Sequence, residues 1–188
     1  LGDAGVCWRL ARQLAAEHGW TMRLWIDDTA PVALLRPGID PQLAQQTVDD
    51  VEIRRWTASF PAVAPARVVI EAFACELPPA YVTAMARQQR PPVWINLEYL
   101  SAEAWVAGSH GLPSPHPRLP LVKHFYFPGF TPGTGGLLRE PDYDNRRRDF
   151  DEAAFRAGFG LPPRAPGELT ISLFSYPNPA LPALIEAW

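Results

Sequence analysis

The start of the chain places a carboxylate between two glycines, where a helix begins. Gly2-Asp3-Ala4-Gly5 leads into an i, i+3, i+4 apolar pattern over residues 6–18, which predicts an amphipathic helix preceded by a buried strand. Open α/β sheets bind ligands at the carboxyl ends of their strands, and this turn would lie there. Asp3 therefore either caps the helix or takes part in chemistry, and the residues alone leave both interpretations open.

Other carboxylates also follow strand-like runs, namely Asp27-Asp28, Glu71 and Glu98. Acidic residues just past a strand often face a ligand crevice. For Asp27-Asp28, a loop capped by solvated acids is the alternative. Glu98 could instead cap a short helix that starts at Ser101.

Strands and helices alternate along the chain, which predicts βαβ units in a Rossmann-like parallel sheet of the α/β class. Asp40-Pro41, an N-cap followed by proline, predicts a further helix to about Thr47. The predicted strands cover residues 21–26, 51–56, 68–70 and 93–96, and the main helices cover residues 6–18 and 78–89.

Composition indicates a globular protein and argues against several functions. The formal net charge is −3 and the basic residues are scattered, so no nucleic-acid surface is expected. No apolar run reaches the roughly 20 residues that span a bilayer and no signal peptide is recognisable, which favours a cytoplasmic protein without membrane contact. The histidines lack metal-ligand spacing, and no GxSxG elbow is present. Cys7 and Cys75 are expected to be buried free thiols.

Glycine is concentrated beside aromatic residues in residues 128–136. Such a segment can bring backbone close to a ligand, or it can be a tight multi-turn loop without one. Further on, proline and glycine in residues 161–168 predict an interdomain linker. Residues 150–159 read as a helix, 169–174 as a strand and 182–188 as the start of a helix.

Several segments of the chain, taken together, are distinctive. The segments are Gly2-Asp3 with residues 5–14, residues 94–103 (WINLEYLSAE), residues 110–115 (HGLPSP) and residues 127–140 (FPGFTPGTGGLLRE). They closely resemble the bacterial arginine rhamnosyltransferases that modify translation elongation factor P. The likeness extends from the first residue to the last predicted strand. It is far more specific than any single motif above.

The resemblance implies a two-domain GT-B glycosyltransferase that moves L-rhamnose from dTDP-β-L-rhamnose to an arginine of elongation factor P, which activates that factor to rescue ribosomes stalled at polyproline. Residues 1–160 would form the acceptor-binding domain and residues 161–168 the linker. Residues 169–188 would begin the nucleotide-sugar-binding domain. No metal is expected, because the diphosphate would rest on a helix N-terminus in that second domain.

Site residues also follow from the resemblance. The family's first turn usually reads Asp-Asn-Phe-Gly-Asp, and its last Asp, the general base, corresponds to Asp3. Leu1 stands where Phe is usual and Ala4 where Ile is usual. Leu1, Gly2 and Asp3 would therefore lie beside the donor. The family's Phe-x-Tyr, implicated in donor binding, corresponds to Phe174 and Tyr176, although core packing explains Phe174 equally well. Asp3, Glu98 and Tyr99 are expected to position the acceptor arginine.

Two other functions remain open from the residues. A dinucleotide-dependent oxidoreductase on a Rossmann-like sheet is disfavoured because Gly2-Asp3-Ala4-Gly5 is not GxGxxG and Asp3 would repel a diphosphate. A non-catalytic α/β module that docks a translation factor is the second alternative.

Overall fold

The computed structural model describes residues 2–173, 175 and 177–188. Within the chain, residues 1–140 and 141–188 form two separate compact units. The division predicted from the sequence, with a linker at residues 161–168, stays a prediction. The elements of the first unit are α1 (Gly2–His18), β1 (Met22–Ile26), α2 (Ala30–Leu35), β2 (Gln45–Val48), β3 (Val51–Arg55), β4 (Val68–Ala72), α3 (Pro79–Ala86), β5 (Val93–Leu97), α4 (Val106–Ser109), β6 (Pro113–Pro115) and β7 (Val122–Tyr126).

The first unit is α/β, as predicted, but its strands form two mixed sheets. One sheet has the order β1-β3-β2 and the other β4-β5-β7-β6. The pairs β1–β3, β4–β5 and β5–β7 are parallel, whereas β2 and β6 add antiparallel edges. The prediction of a parallel sheet therefore holds for the pairs β1–β3, β4–β5 and β5–β7 and is wrong for β2 and β6.

A tight turn explains the antiparallel β2. Only Asp49 and Asp50 separate β2 from β3, and both adopt positive φ, 49° and 60°. Such a two-residue connection forms a hairpin, whereas a parallel pair needs a long crossover.

The helix predicted after Asp40-Pro41 is absent, and this prediction is wrong. The Asp40 carboxylate instead accepts a hydrogen bond from the Gln42 N–H at 2.8 Å, and the Gln46 side chain bonds both the N–H and the carbonyl of Asp40. The segment then continues as β2 along β3. Pairing with a neighbouring strand overrides the local capping signal here.

Each sheet has its own apolar core. Trp8 of α1, Val32 of α2 and Ile53 of β3 are almost fully buried against one another in the first core. In the second, Met85 of α3 packs with Val69 of β4 and Trp94 of β5. Burial of large side chains stabilises such a core by about 1.5–3 kcal/mol each, which fixes α1 and α3 on their sheets.

Ion pairs join α1 and the residue that follows α2 to the β2–β3 turn. Arg36 donates from Nε and Nη2 to the two Asp49 oxygens at 2.9 and 2.8 Å, and Arg12 donates to the same carboxylate at 2.9 Å. The hydrogen bonds from Arg36 have the largest effect on this carboxyl, and together with Arg12 they hold the pKa of Asp49 below its ordinary value.

This depressed pKa predicts a pH-dependent contribution to stability. The ion pairs stabilise the fold above the ordinary Asp pKa of about 3.9, and their contribution is lost as the pH falls through the lower folded-state pKa. Asp49→Asn should therefore lower the thermal midpoint modestly near neutral pH, because the three side chains are partly exposed. Wild type and variant should converge in acid, whereas the control Asp50→Asn should match wild type throughout. Thermal unfolding of the full-length protein across pH checks this, and a difference independent of pH would contradict it.

The second unit contains α5 (Tyr143–Arg148), α6 (Glu152–Gly158) and α7 (Leu181–Glu186). Arg156 is its buried polar centre. Its guanidinium donates to the Pro162 carbonyl at 2.8 Å, to the Thr170 hydroxyl at 3.1 Å and to the Glu168 carboxylate at 2.8 Å. These bonds hold the segment predicted as a linker against α6.

Outcomes in this unit are mixed. The predicted helices near residues 150–159 and 182–188 are confirmed by α6 and α7. Residues 169–173 form no strand, so the predicted strand is wrong over that range, and Phe174 lies outside the described residues.

Candidate functional site

Asp3 lies in the first turn of α1 with an exposed side chain. The Tyr99 hydroxyl donates a hydrogen bond to its Oδ2 at 3.0 Å. The structure thus brings together two predicted site residues that are 96 positions apart in the sequence. Because Asp3 is inside α1, it is not the residue that precedes the helix. Its carboxylate lies at the end of α1 where backbone N–H groups are free of intrahelical partners.

Tyr99 lies just beyond the carboxyl end of β5. Its ring stacks on the ring of Phe73, which directly follows β4. The two ring centroids are 4.3 Å apart and the planes are inclined by 18°. Phe73 is not among the site residues predicted from the sequence. The signal that could have identified it was its position directly after a buried strand.

Glu98 is half-buried at the end of β5. Its backbone N–H donates to the Tyr126 carbonyl at 2.9 Å, and its carboxylate accepts a hydrogen bond from the amide of Asn96. Asn96 is fully buried, so this amide is a fixed support. The alternative in which Glu98 caps a helix at Ser101 is wrong, because α4 begins at Val106.

Glu71 is a structural residue rather than a crevice residue. Its side chain is buried and accepts hydrogen bonds from Trp94 Nε1 at 3.1 Å and from Lys123 Nζ at 3.2 Å. The Lys123 ammonium also lies 4.9 Å from the centre of the Trp94 ring. This cluster joins β4, β5 and β7.

Asp27 and Asp28 serve the chain locally. Asp28 accepts a hydrogen bond from the Ala30 N–H at 2.9 Å, where α2 begins, and Asp27 accepts one from the Asp28 N–H at 2.9 Å. The solvated-loop interpretation of these two acids is therefore the correct one.

Glycines near the site serve packing more than ligand access. A Cβ on Gly5 would lie 3.2 Å from Leu35, so this glycine lets α1 approach α2. In the glycine-rich loop, a Cβ on Gly135 would lie 2.4 Å from the Tyr126 ring, and one on Gly129 would lie 2.7 Å from Thr134. The tight-loop interpretation of residues 128–136 accounts for these glycines.

The structure does not test the predicted donor-binding residues. Leu1, Phe174 and Tyr176 lie outside the described residues. Gly2 begins α1, and a Cβ added to it would meet nothing within 4 Å. The predicted roles of these residues, and those of Asp3, Glu98 and Tyr99, stay predictions.

Neither cysteine has the environment of a nucleophile. Cys7 is half-buried one turn after Asp3, and burial, followed by the Asp3 charge, raises its pKa to about 11. Partial desolvation by the surrounding protein, followed by the Glu71 charge, also raises the pKa of the Cys75 thiol, although its side chain reaches the surface. Both thiols are free, as predicted, but the prediction of burial is wrong for Cys75, which is exposed.

Two further findings concern the part of the chain that the structure describes. No three His, Cys, Asp or Glu side chains there lie close enough to hold a metal ion. None of the described helices has the length and apolar character needed to cross a bilayer.

Known proteins match the entire chain. Residues 1–188 match the family described as Elongation-Factor P (EF-P) rhamnosyltransferase EarP. The chain is 54% identical over 191 residues to a protein-arginine rhamnosyltransferase of Pseudomonas putida, with 99% of this chain and 50% of that protein covered. It is 51% identical to the enzyme of the same name from Pseudomonas aeruginosa, with 98% of this chain and 50% of that protein covered. For the enzyme from Neisseria meningitidis serogroup B, identity is 38%, with 100% of this chain and 47% of that protein covered.

The chain thus spans about half the length of the curated relatives it matches. The resemblance found in the sequence is confirmed along its whole length. The chain belongs to the EarP family of elongation factor P rhamnosyltransferases.

Proposed function

We propose that this chain is the acceptor-binding part of an inverting protein-arginine rhamnosyltransferase. The full-length enzyme would move L-rhamnose from dTDP-β-L-rhamnose to an arginine of elongation factor P in the cytoplasm, as a GT-B enzyme with its active site between two domains. The proposal rests on one observation in a chain of this family. The exposed Asp3 carboxylate at the start of α1 accepts a hydrogen bond from the Tyr99 hydroxyl.

The proposed role of Asp3 follows from the acceptor's chemistry. A guanidinium is a far weaker acid than a carboxylic acid, so a carboxylate cannot hold it deprotonated in the ground state. Asp3 would first orient the arginine through charge-assisted hydrogen bonds. The proton then leaves the attacking nitrogen for Asp3 as its bond to the anomeric carbon forms and the bond to dTDP breaks. Attack opposite the leaving group inverts the anomeric centre and gives an α-linked sugar.

Glu98 and Tyr99 are proposed to position the arginine. Glu98 is restrained by Asn96 and by the β7 backbone, so its carboxylate has few orientations to lose on binding. A second carboxylate could grip the guanidinium in a bidentate manner and restrict its rotation. Tyr99 would hold Asp3 in the orientation that accepts the proton.

The donor side of the proposal depends on residues beyond the described site. Leu1, Gly2, Phe174 and Tyr176 are proposed to contact dTDP-β-L-rhamnose, and no metal is proposed. A Rossmann-like fold is proposed for the first unit, and the parallel pairs β1–β3, β4–β5 and β5–β7 support it.

The test is transfer by the full-length enzyme. We expect elongation factor P to gain one rhamnose from dTDP-β-L-rhamnose, and little or none from other sugar nucleotides, as measured by intact-mass spectrometry. Unchanged acceptor mass with every donor would contradict the proposal and favour a docking module. Tight NAD binding by calorimetry, without transfer, would favour the oxidoreductase.

Tyr99→Phe should weaken catalysis without altering the fold. The variant keeps the ring that stacks on Phe73 and loses the hydroxyl that donates to Asp3. A hydrogen bond to a charged group contributes about 1.5–3 kcal/mol, less when exposed, so kcat should fall about tenfold. Steady-state kinetics of the full-length enzyme checks this, and unchanged kcat would show that the hydroxyl has no role.

A further inference from the structure

The backbone that follows β4 is unusual. Phe73, Ala74 and Glu76 have φ of 56°, 53° and 53°. These left-handed values are unfavourable for residues other than glycine, and most unfavourable for bulky side chains such as that of Phe73. Strain of this kind persists where surrounding contacts enforce it, and it clusters at functional sites. Residues 73–76 are called the 73–76 arch below.

Hydrogen bonds hold the 73–76 arch at the end of the sheet. The Phe73 N–H donates to the Leu97 carbonyl at 2.7 Å, which extends the β4–β5 pairing beyond its last pair, Ala72 with Leu97. The Cys75 N–H donates to the Ala72 carbonyl at 3.2 Å and closes the turn. The Phe73 side chain is therefore fixed beside the point where the chain leaves β5.

The ring of Phe73 restrains an otherwise exposed side chain. Tyr99 is 57% exposed. Stacking on Phe73 at 4.3 Å covers one face and favours one orientation of the phenol. In that orientation the hydroxyl reaches Asp3 Oδ2 at 3.0 Å.

We propose that Phe73 is a positioning residue for arginine transfer: its left-handed backbone and stacked ring hold Tyr99 so that the phenol hydroxyl orients the Asp3 carboxylate. The inference rests on the proposed function, because it assigns Phe73 an effect on the proposed base. Phe73 acts through Tyr99 and does not touch the reacting atoms. It therefore affects the rate of proton acceptance more than acceptor binding.

The test uses the full-length enzyme with dTDP-β-L-rhamnose and elongation factor P. Phe73→Gly accepts the positive φ without strain and removes only the ring. We expect kcat to fall about five- to tenfold, with the acceptor KM within about twofold and the thermal midpoint close to wild type. Phe73→Tyr keeps a stacking ring and should restore kcat to within about twofold.

Two further variants make the test specific. Ala74→Gly relieves left-handed strain in the same arch without removing the stacked ring, so we expect wild-type kcat and KM. In a Tyr99→Phe background, Phe73→Gly should lower kcat no further, because the hydroxyl that Phe73 positions is already absent.

The outcomes separate this inference from the proposed function. If wild-type enzyme transfers rhamnose while Phe73→Gly keeps wild-type kcat, the positioning role is wrong and the proposed function stands. A loss of kcat in Ala74→Gly equal to that in Phe73→Gly, or additive losses in the double variant, would also overturn it. Absence of transfer by wild-type enzyme would instead contradict the proposed function.

Discussion

Asp3→Asn in the full-length enzyme should lower kcat about a hundred- to ten-thousand-fold. Asparagine has the same shape and can still accept the Tyr99 hydrogen bond, but it cannot accept the arginine proton. Because Asp3 is exposed on α1, the fold should be retained. The donor is proposed to bind mostly to the second domain, so its affinity should change little.

The measurement is rhamnosyl transfer followed by mass spectrometry, together with circular dichroism and donor calorimetry. Asp50→Asn is the matched control, because it neutralises an exposed carboxylate of the same unit outside the site. This control should show wild-type turnover. Near-normal turnover by Asp3→Asn would show that Asp3 is not the base.

Lys123→Met should lower the free energy of unfolding of the first unit by about 3 kcal/mol, because it leaves the buried Glu71 carboxylate without its cation. This loss of stability is at the low end of the range for breaking a buried ion pair, since the Lys123 side chain is 21% exposed. Native-state hydrogen exchange at the amides of β4, β5 and β7 in the full-length protein measures this loss where it arises.

The double variant Glu71→Gln with Lys123→Met separates charge from packing. It removes both charges and keeps an acceptor for the Trp94 N–H. Most of the lost stability should therefore return. Equal destabilisation of the single and double variants would show that the ion pair is not the source of the effect.

The predicted elements that are confirmed depend on local patterns. The apolar stripe of α1 and the short apolar runs of β4 and β5 identify these elements without knowledge of their partners. β2 is different, because Gln45–Val48 is polar and becomes a strand by pairing with β3. The antiparallel edge likewise depends on positive φ at Asp49 and Asp50, which residue types such as aspartate permit but do not require.

The site shows the same division between local and long-range information. The family resemblance selects Asp3, Glu98 and Tyr99 individually. The hydrogen bond between Asp3 and Tyr99, and the pairing of Glu71 with Lys123, join residues distant in sequence and have no local signal. Phe73 was missed because its proposed role depends on a left-handed backbone conformation, which the residue type phenylalanine does not predict.

The most direct test of the account is the anomeric configuration of the sugar on elongation factor P after a single turnover with dTDP-β-L-rhamnose. If Asp3 accepts the arginine proton during direct displacement of dTDP, NMR of the isolated glycopeptide should show α-linked rhamnose on the arginine side chain. A β-linked product would mean two displacements through an enzyme-bound intermediate and would contradict the proposed role of Asp3.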